Sequence, residues 1–120
     1  MAIPNLLSLT TVNAHTFQAN LTGTTTTALI TNSAASGQSY LIKSITVANY
    51  DTSAGYKLTL GIVKSGGSFI NLANTVVVPF ASTLTFPGAC PFYLEEGDVI
   101  EGGADTTLKL AITIGYLVMS

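Results

Sequence analysis

Along this chain apolar residues recur at every second position, in short runs separated by clusters of Gly, Ser, Asn and Asp. A period of two belongs to the extended strand, whose side chains alternate between two faces, and it does not fit the 3.6-residue period of an amphipathic helix. Over Tyr56–Val63 the pattern sends Leu58, Leu60 and Ile62 inward and Lys57, Thr59 and Gly61 outward. Residues 108–118 repeat it, with Leu108, Leu110, Ile112, Ile114, Tyr116 and Val118 on one face and Lys109, Ala111, Thr113 and Gly115 on the other. Further strands are expected over residues 16–21, 25–31, 40–50, 68–74, 76–80 and Ser82–Phe86, with short runs at 91–94 and 98–101. Many short strands with Gly-rich turns and no helical period predict an all-β chain: an antiparallel β-sandwich, jelly-roll-like, of eight or nine strands. An up-and-down barrel is the rival topology.

Two local features sharpen this. Within residues 40–50 the alternation breaks, because Leu41, Ile45 and Val47 share a face with Lys43 while Tyr40 and Ile42 fall on the other. A β-bulge near Lys43 and Ser44 brings Ile42, Ile45 and Val47 together. Turns are expected at Ala34-Ala35-Ser36-Gly37, Asp51-Thr52-Ser53-Ala54-Gly55 and Ser65-Gly66-Gly67, with Gly supplying positive φ. The hairpin from Tyr56 to Asn71 is the best-defined local unit.

The first residues do not follow the strand rule. Ile3, Leu6, Leu7 and Leu9 are apolar without a turn signal, and Pro4 has no N–H to give a ladder. Residues 1–14 are read as an N-terminal arm and residues 15–120 as a single sandwich domain; a frayed terminus or a first edge strand would look the same in sequence. An apolar arm needs a neighbour to cover it, which makes Ile3, Pro4, Leu6, Leu7 and Leu9 the candidate partner-binding residues.

Charged residues are only 8% of the chain, against about a quarter in ordinary domains, so the surface must be built largely of Thr, Ser, Asn and Gly. With a net charge of −2, four Lys and no Arg, the chain has nothing to neutralise a phosphate backbone, and nucleic acid is not an expected partner. Weak repulsion between copies favours self-association. The longest apolar run, from Leu110 to Met119, is interrupted by Thr113 and Gly115 and is too short to cross a bilayer as a helix, so no membrane partner is expected. The N-terminus lacks a basic region and a long apolar run and reads as mature protein. Cys90 is the sole cysteine, which excludes an internal disulfide and leans toward cytoplasmic synthesis.

No convergent chemistry emerges. Glu95, Glu96 and Asp98 offer oxygens to a hard cation such as calcium, but their spacing is not that of an EF-hand and a solvated turn accounts for them. His15 has no evident partner for acid–base or zinc chemistry, and Cys90 between Ala89 and Pro91 reads as a small packed thiol rather than half of a Cys–His pair. The chain has no Gly-x-Ser-x-Gly elbow and no phosphate loop. Asn20-Leu21-Thr22 satisfies the glycosylation triplet, a pattern common by chance in an Asn- and Thr-rich chain. Tyr40, Tyr50, Tyr56, Tyr93 and Tyr116 suggest either a sugar-stacking platform or core and rim aromatics. The expectation is a protein that is not an enzyme and needs no cofactor.

The succession Ile42-Lys43-Ser44-Ile45-Thr46-Val47-Ala48-Asn49, a turn, Lys57-Leu58-Thr59-Leu60-Gly61-Ile62-Val63, then Pro91-Phe92-Tyr93-Leu94-Glu95-Glu96-Gly97-Asp98-Val99-Ile100 and a terminal β strand resembles small virion proteins of tailed bacteriophages. It spans about two-thirds of the chain, from Tyr40 to Tyr116, in patterns of strand and turn rather than signatures of chemistry. The resemblance implies a capsid cement or decoration protein: made in the host cytoplasm, carried on the capsid exterior, and clamping major capsid protein subunits as a homo-oligomer, trimer or dimer. It also implies that the run at residues 94–100 closes a turn into a sandwich strand. Placement in the tail, neck or a head spike, and a receptor- or glycan-binding module, are the alternatives. The arm hypothesis predicts that removing residues 1–11 leaves a folded domain unable to bind heads.

Overall fold

The computed structural model describes residues 10–23, 27–86, 92–106 and 109–120. These form nine strands and no helix: β1 (Val12–Asn20), β2 (Thr27–Thr31), β3 (Ser39–Asn49), β4 (Tyr56–Val63), β5 (Phe69–Val78), β6 (Ser82–Phe86), β7 (Phe92–Leu94), β8 (Val99–Ala104) and β9 (Leu110–Met119). All pairs are antiparallel. One sheet runs β1-β9-β3-β6, with β7 also pairing β3, and the other runs β2-β8-β4-β5.

The two sheets pack face to face as a β-sandwich, through side chains that the period-two pattern sends inward. Leu58 and Leu60 of β4 and Ile100 of β8 meet Ile42, Ile45 and Val47 of β3 and Leu110, Ile112 and Ile114 of β9, all at most 1% exposed. Each such side chain contributes about 1.5–3 kcal/mol on burial. The expected bulge is present: β3 pairs β9 at Ile42↔Tyr116 and then at Ser44↔Gly115, so Lys43 is the extra residue and Ile42, Ile45 and Val47 share the buried face.

Three expectations are revised. β1 begins at Val12, so Val12, Asn13 and Ala14 lie in the sheet, paired with Met119, Val118 and Leu117, rather than in an arm reaching residue 14. The backbone is tied one step earlier still, Thr10 N and Thr11 N both donating to Ser120 O at 2.9 and 3.1 Å. Residues 68–74 and 76–80 are not two strands but one, β5, which absorbs two register shifts against β4 with Thr75 at φ 50°. Gly37 and Gly66 carry the expected positive φ, but Gly55 does not. The turn before Gly55 is held by side chains instead. Asp51 Oδ1 accepts from Ser53 N and Ser53 Oγ, and Tyr56 donates its hydroxyl to Asp51 Oδ2 at 2.6 Å.

The hairpin of β4 and β5 turns at Lys64–Gly67, where Gly67 N donates to Lys64 O. Gly61 has a structural duty within it. A Cβ there would overlap the Ile70 carbonyl oxygen and sit 2.6 Å from the Phe69 ring, which lies across the bare Cα. Ile3, Pro4, Leu6, Leu7 and Leu9, together with Cys90 and Leu108, lie outside the described residues.

Candidate functional site

The acidic run before β8 folds as a tight turn. Asp98 N donates to Glu95 O, and Gly97 takes φ 85°, which a side chain would strain. Asp98 is fully buried and saturated: it accepts from Lys64 Nζ at 2.6 Å, Ser65 N at 3.0 Å and Glu95 N at 2.9 Å. Burial opposes its ionisation, but the bonds from Lys64, Ser65 and Glu95 prevail and hold the carboxyl below its ordinary value. The hydrogen bond to Asp98 correspondingly raises the Lys64 ammonium, with Glu95 at 3.3 Å adding to it. The three acids do not converge on one point. Glu95 is half-buried beside Lys64, Asp98 is spent on the turn, and Glu96 turns inside, 2% exposed, with neither carboxylate oxygen accepting a hydrogen bond. Among the described residues no group of three His, Cys, Asp or Glu side chains is placed to hold a metal ion.

Two asparagines that the sequence did not single out tie down the ends of β3. Before it, Asn32 Nδ2 donates to Gln38 O and to Leu94 O of β7, while its backbone bonds Asp98 O and Gly97 N and so continues the β2–β8 pairing into the acidic turn. At its far end, Asn49 Nδ2 donates to Ala54 O and Val78 O. Both are buried and both donate to main-chain carbonyls. Asn next to a turn was the available signal, but its remote acceptors are set by the tertiary fold.

The aromatic residues separate. Tyr116 on β9 stacks between His15 of β1 and Tyr40 of β3, ring centroids 5.5 Å apart on each side and the planes within about 23°. Its two faces are thereby taken by its neighbours, whereas sugar stacking uses a free ring face. Tyr56 serves Asp51, Tyr50 donates to Asn20 Oδ1, and Tyr93 is exposed on β7, away from the stack.

Among the exposed side chains are large apolar ones. Ile70, Leu72, Val76 and Val77 of β5 and Phe80 just after it are exposed, and Leu72 borders a cavity of about 160 Å³ with Ile42, Ile45, Phe86 and Phe92. This cavity lies where β6 ends and β7 begins along β3, beside the bulge at Lys43. A shallower hollow between β1 and β9, lined by Gln18, Asn20 and Thr113 among others, carries no titratable side chain. The ion pairs of Lys64 with Glu95 and Asp98, and of Lys109 with Asp51, brace the protein's own turns. Comparison with protein-family models, curated proteins and solved structures returned no match, so the function of this chain rests on its own residues and geometry.

Proposed function

We propose that this chain is a structural adhesion protein of a tailed-bacteriophage virion, a capsid cement or decoration protein that binds the outer capsid surface as a homo-oligomer and works without catalysis. The observation that carries the reading is the set of large apolar side chains left exposed on a closed sandwich whose ion pairs are internal. Exposed apolar groups gathered on one flank mark a surface meant to be covered. Support also comes from the likeness in strand and turn pattern between residues 40 and 116 and small virion proteins. The strand order fits the jelly-roll-like winding expected of such proteins, since the chain passes repeatedly between β1-β9-β3-β6 and β2-β8-β4-β5.

In this reading the arm residues Ile3, Pro4, Leu6, Leu7 and Leu9 engage the major capsid protein. Ordering a residue costs about 1–2 kcal/mol of backbone entropy, and each fully covered apolar side chain returns roughly 1.5–3 kcal/mol. The margin per subunit is small, and linkage within an oligomer multiplies it. Because Thr10 and Thr11 bond Ser120, the informative truncation stops at residue 9. Removing residues 1–9 is expected to leave the circular dichroism of a β protein and abolish cosedimentation with phage heads. A truncated chain that decorates heads as tightly as the full one overturns the arm's role. Label found on tails or necks instead of heads in particle images moves the protein to another part of the virion.

A further inference from the structure

We infer that the β5 flank is the surface through which copies of this chain join, a second copy covering it by side-chain packing rather than by strand addition. Five of the eight large apolar side chains exposed among the described residues fall within residues 70–80: Ile70 (64%), Leu72 (40%), Val76 (38%), Val77 (55%) and Phe80 (55%). Their exposure follows from the architecture. Ile70 stands opposite Ile62 and Val76 opposite Leu58, so both lie on the face that β4 buries. Yet the opposing sheet ends in β6, five residues long against the ten of β5, and β5 overhangs it.

The occupant is argued from charge, area and edge geometry. Phe69–Val78 contains no charged residue and no proline, the usual guards of an exposed edge strand. An uncharged apolar patch is self-complementary, which is what a closed interface between identical copies requires. The five do not share one face, since Val77 stands opposite Lys57 and points away from Ile70 and Val76; a second copy has to wrap the edge of β5 to reach all five residues, which together expose on the order of 500 Å², the upper range for the largest apolar patch of a monomer. Two such patches placed together reach the roughly 1,000 Å² at which an interface becomes specific. The cavity beside Leu72, about 160 Å³, adds a socket for an apolar side chain of the neighbour; a cavity of about 150 Å³ accommodates a benzene ring.

Strand addition is disfavoured at this edge. The two register shifts and Thr75 at φ 50° break the run of backbone groups that a new strand would have to meet. The regular edge is β1, unbroken over nine pairs, but it offers mainly polar side chains such as Asn13, Thr16 and Gln18.

This deepens the homo-oligomeric part of the proposed function and does not depend on the capsid. The test is sedimentation velocity of the full chain across the micromolar range. The wild type is expected to sediment as an oligomer. Ile70→Asp and Val77→Asp, each at an exposed position, should weaken association about tenfold or more by burying an unpaired carboxylate at the contact, with an unchanged β circular dichroism spectrum. Thr16→Lys on β1 should leave the oligomer intact. A wild type that is monomeric throughout, an oligomer that survives both β5 substitutions, or one that dissociates with Thr16→Lys alone overturns the inference. Should either aspartate variant unfold, Ile70→Thr read by the same measurement takes its place. Loss of head binding with the oligomer intact counts against the capsid assignment alone, and a wild-type monomer that still decorates heads counts against this interface alone.

Discussion

Buried immediately before β8, Asp98 receives three hydrogen bonds, from Lys64 Nζ, Ser65 N and Glu95 N, and joins the end of β4 to the turn that starts β8. Its folded pKa is lowered, so its contribution to stability is complete above the ordinary carboxylate value and is lost as pH falls through the lowered one. Lys64 is raised, and its contribution holds through neutral pH, to be lost only as pH climbs through a value above the usual lysine range. Thermal melts are therefore expected to stay level from neutral pH down to the ordinary carboxylate region and to fall below it. Asp98→Asn should cost at least about 2 kcal/mol at neutral pH and flatten that acid limb, because an amide nitrogen cannot accept the bonds that Lys64 and Glu95 donate. Glu96, two residues away, is the reverse case. Among the described residues nothing donates a hydrogen bond to either of its buried carboxylate oxygens.

At the scale of elements, the single extra residue in β3 decides which side chains reach the core. Deleting Lys43 would restore a straight ladder to β9 with Ile42 and Ile45 two residues apart, so both would stay on the buried face without a bulge. The expected result is a variant that still folds with Ile42, Ile45 and Val47 in the core, as circular dichroism and a cooperative urea transition would show. That bulge was legible beforehand because the hydrophobic alternation of residues 40–50 fails at one place and resumes in the opposite phase. β4 and β6 were legible to the residue, β4 because turn clusters bound it on both sides. β5 was not: Asn74 and Thr75 look like a break between strands, and only the continuous pairing with β4 on both sides of them reveals one bulged strand. The pairing of β1 with β9, residue 12 against residue 119, has no local signal at all. The same holds for the acceptors of Asn32 and Asn49, which arrive from strands far away in sequence. Of the residues proposed for the arm, the first nine fall outside the described part, while Val12 to Ala14 belong to the sheet, a difference produced by the C-terminal strand extending to Met119.

Taken as a whole, the molecule is held by partners distant along the chain: β1 with β9, β2 with β8, β3 with β9. Such contacts reward the chain only after long loops have closed, so refolding from denaturant is expected in the millisecond-to-second range rather than in microseconds, as stopped-flow fluorescence of the tyrosines would show. The bonds from Thr10 and Thr11 to Ser120 bring the two ends of the described chain together at one corner. A fluorophore or affinity tag attached after Ser120 would therefore stand about one strand spacing, roughly 5 Å, from the root of residues 1–9. Bulky labels there would crowd that corner, whereas a label in the turn at residues 51–55, at the other end of β3, would leave it clear.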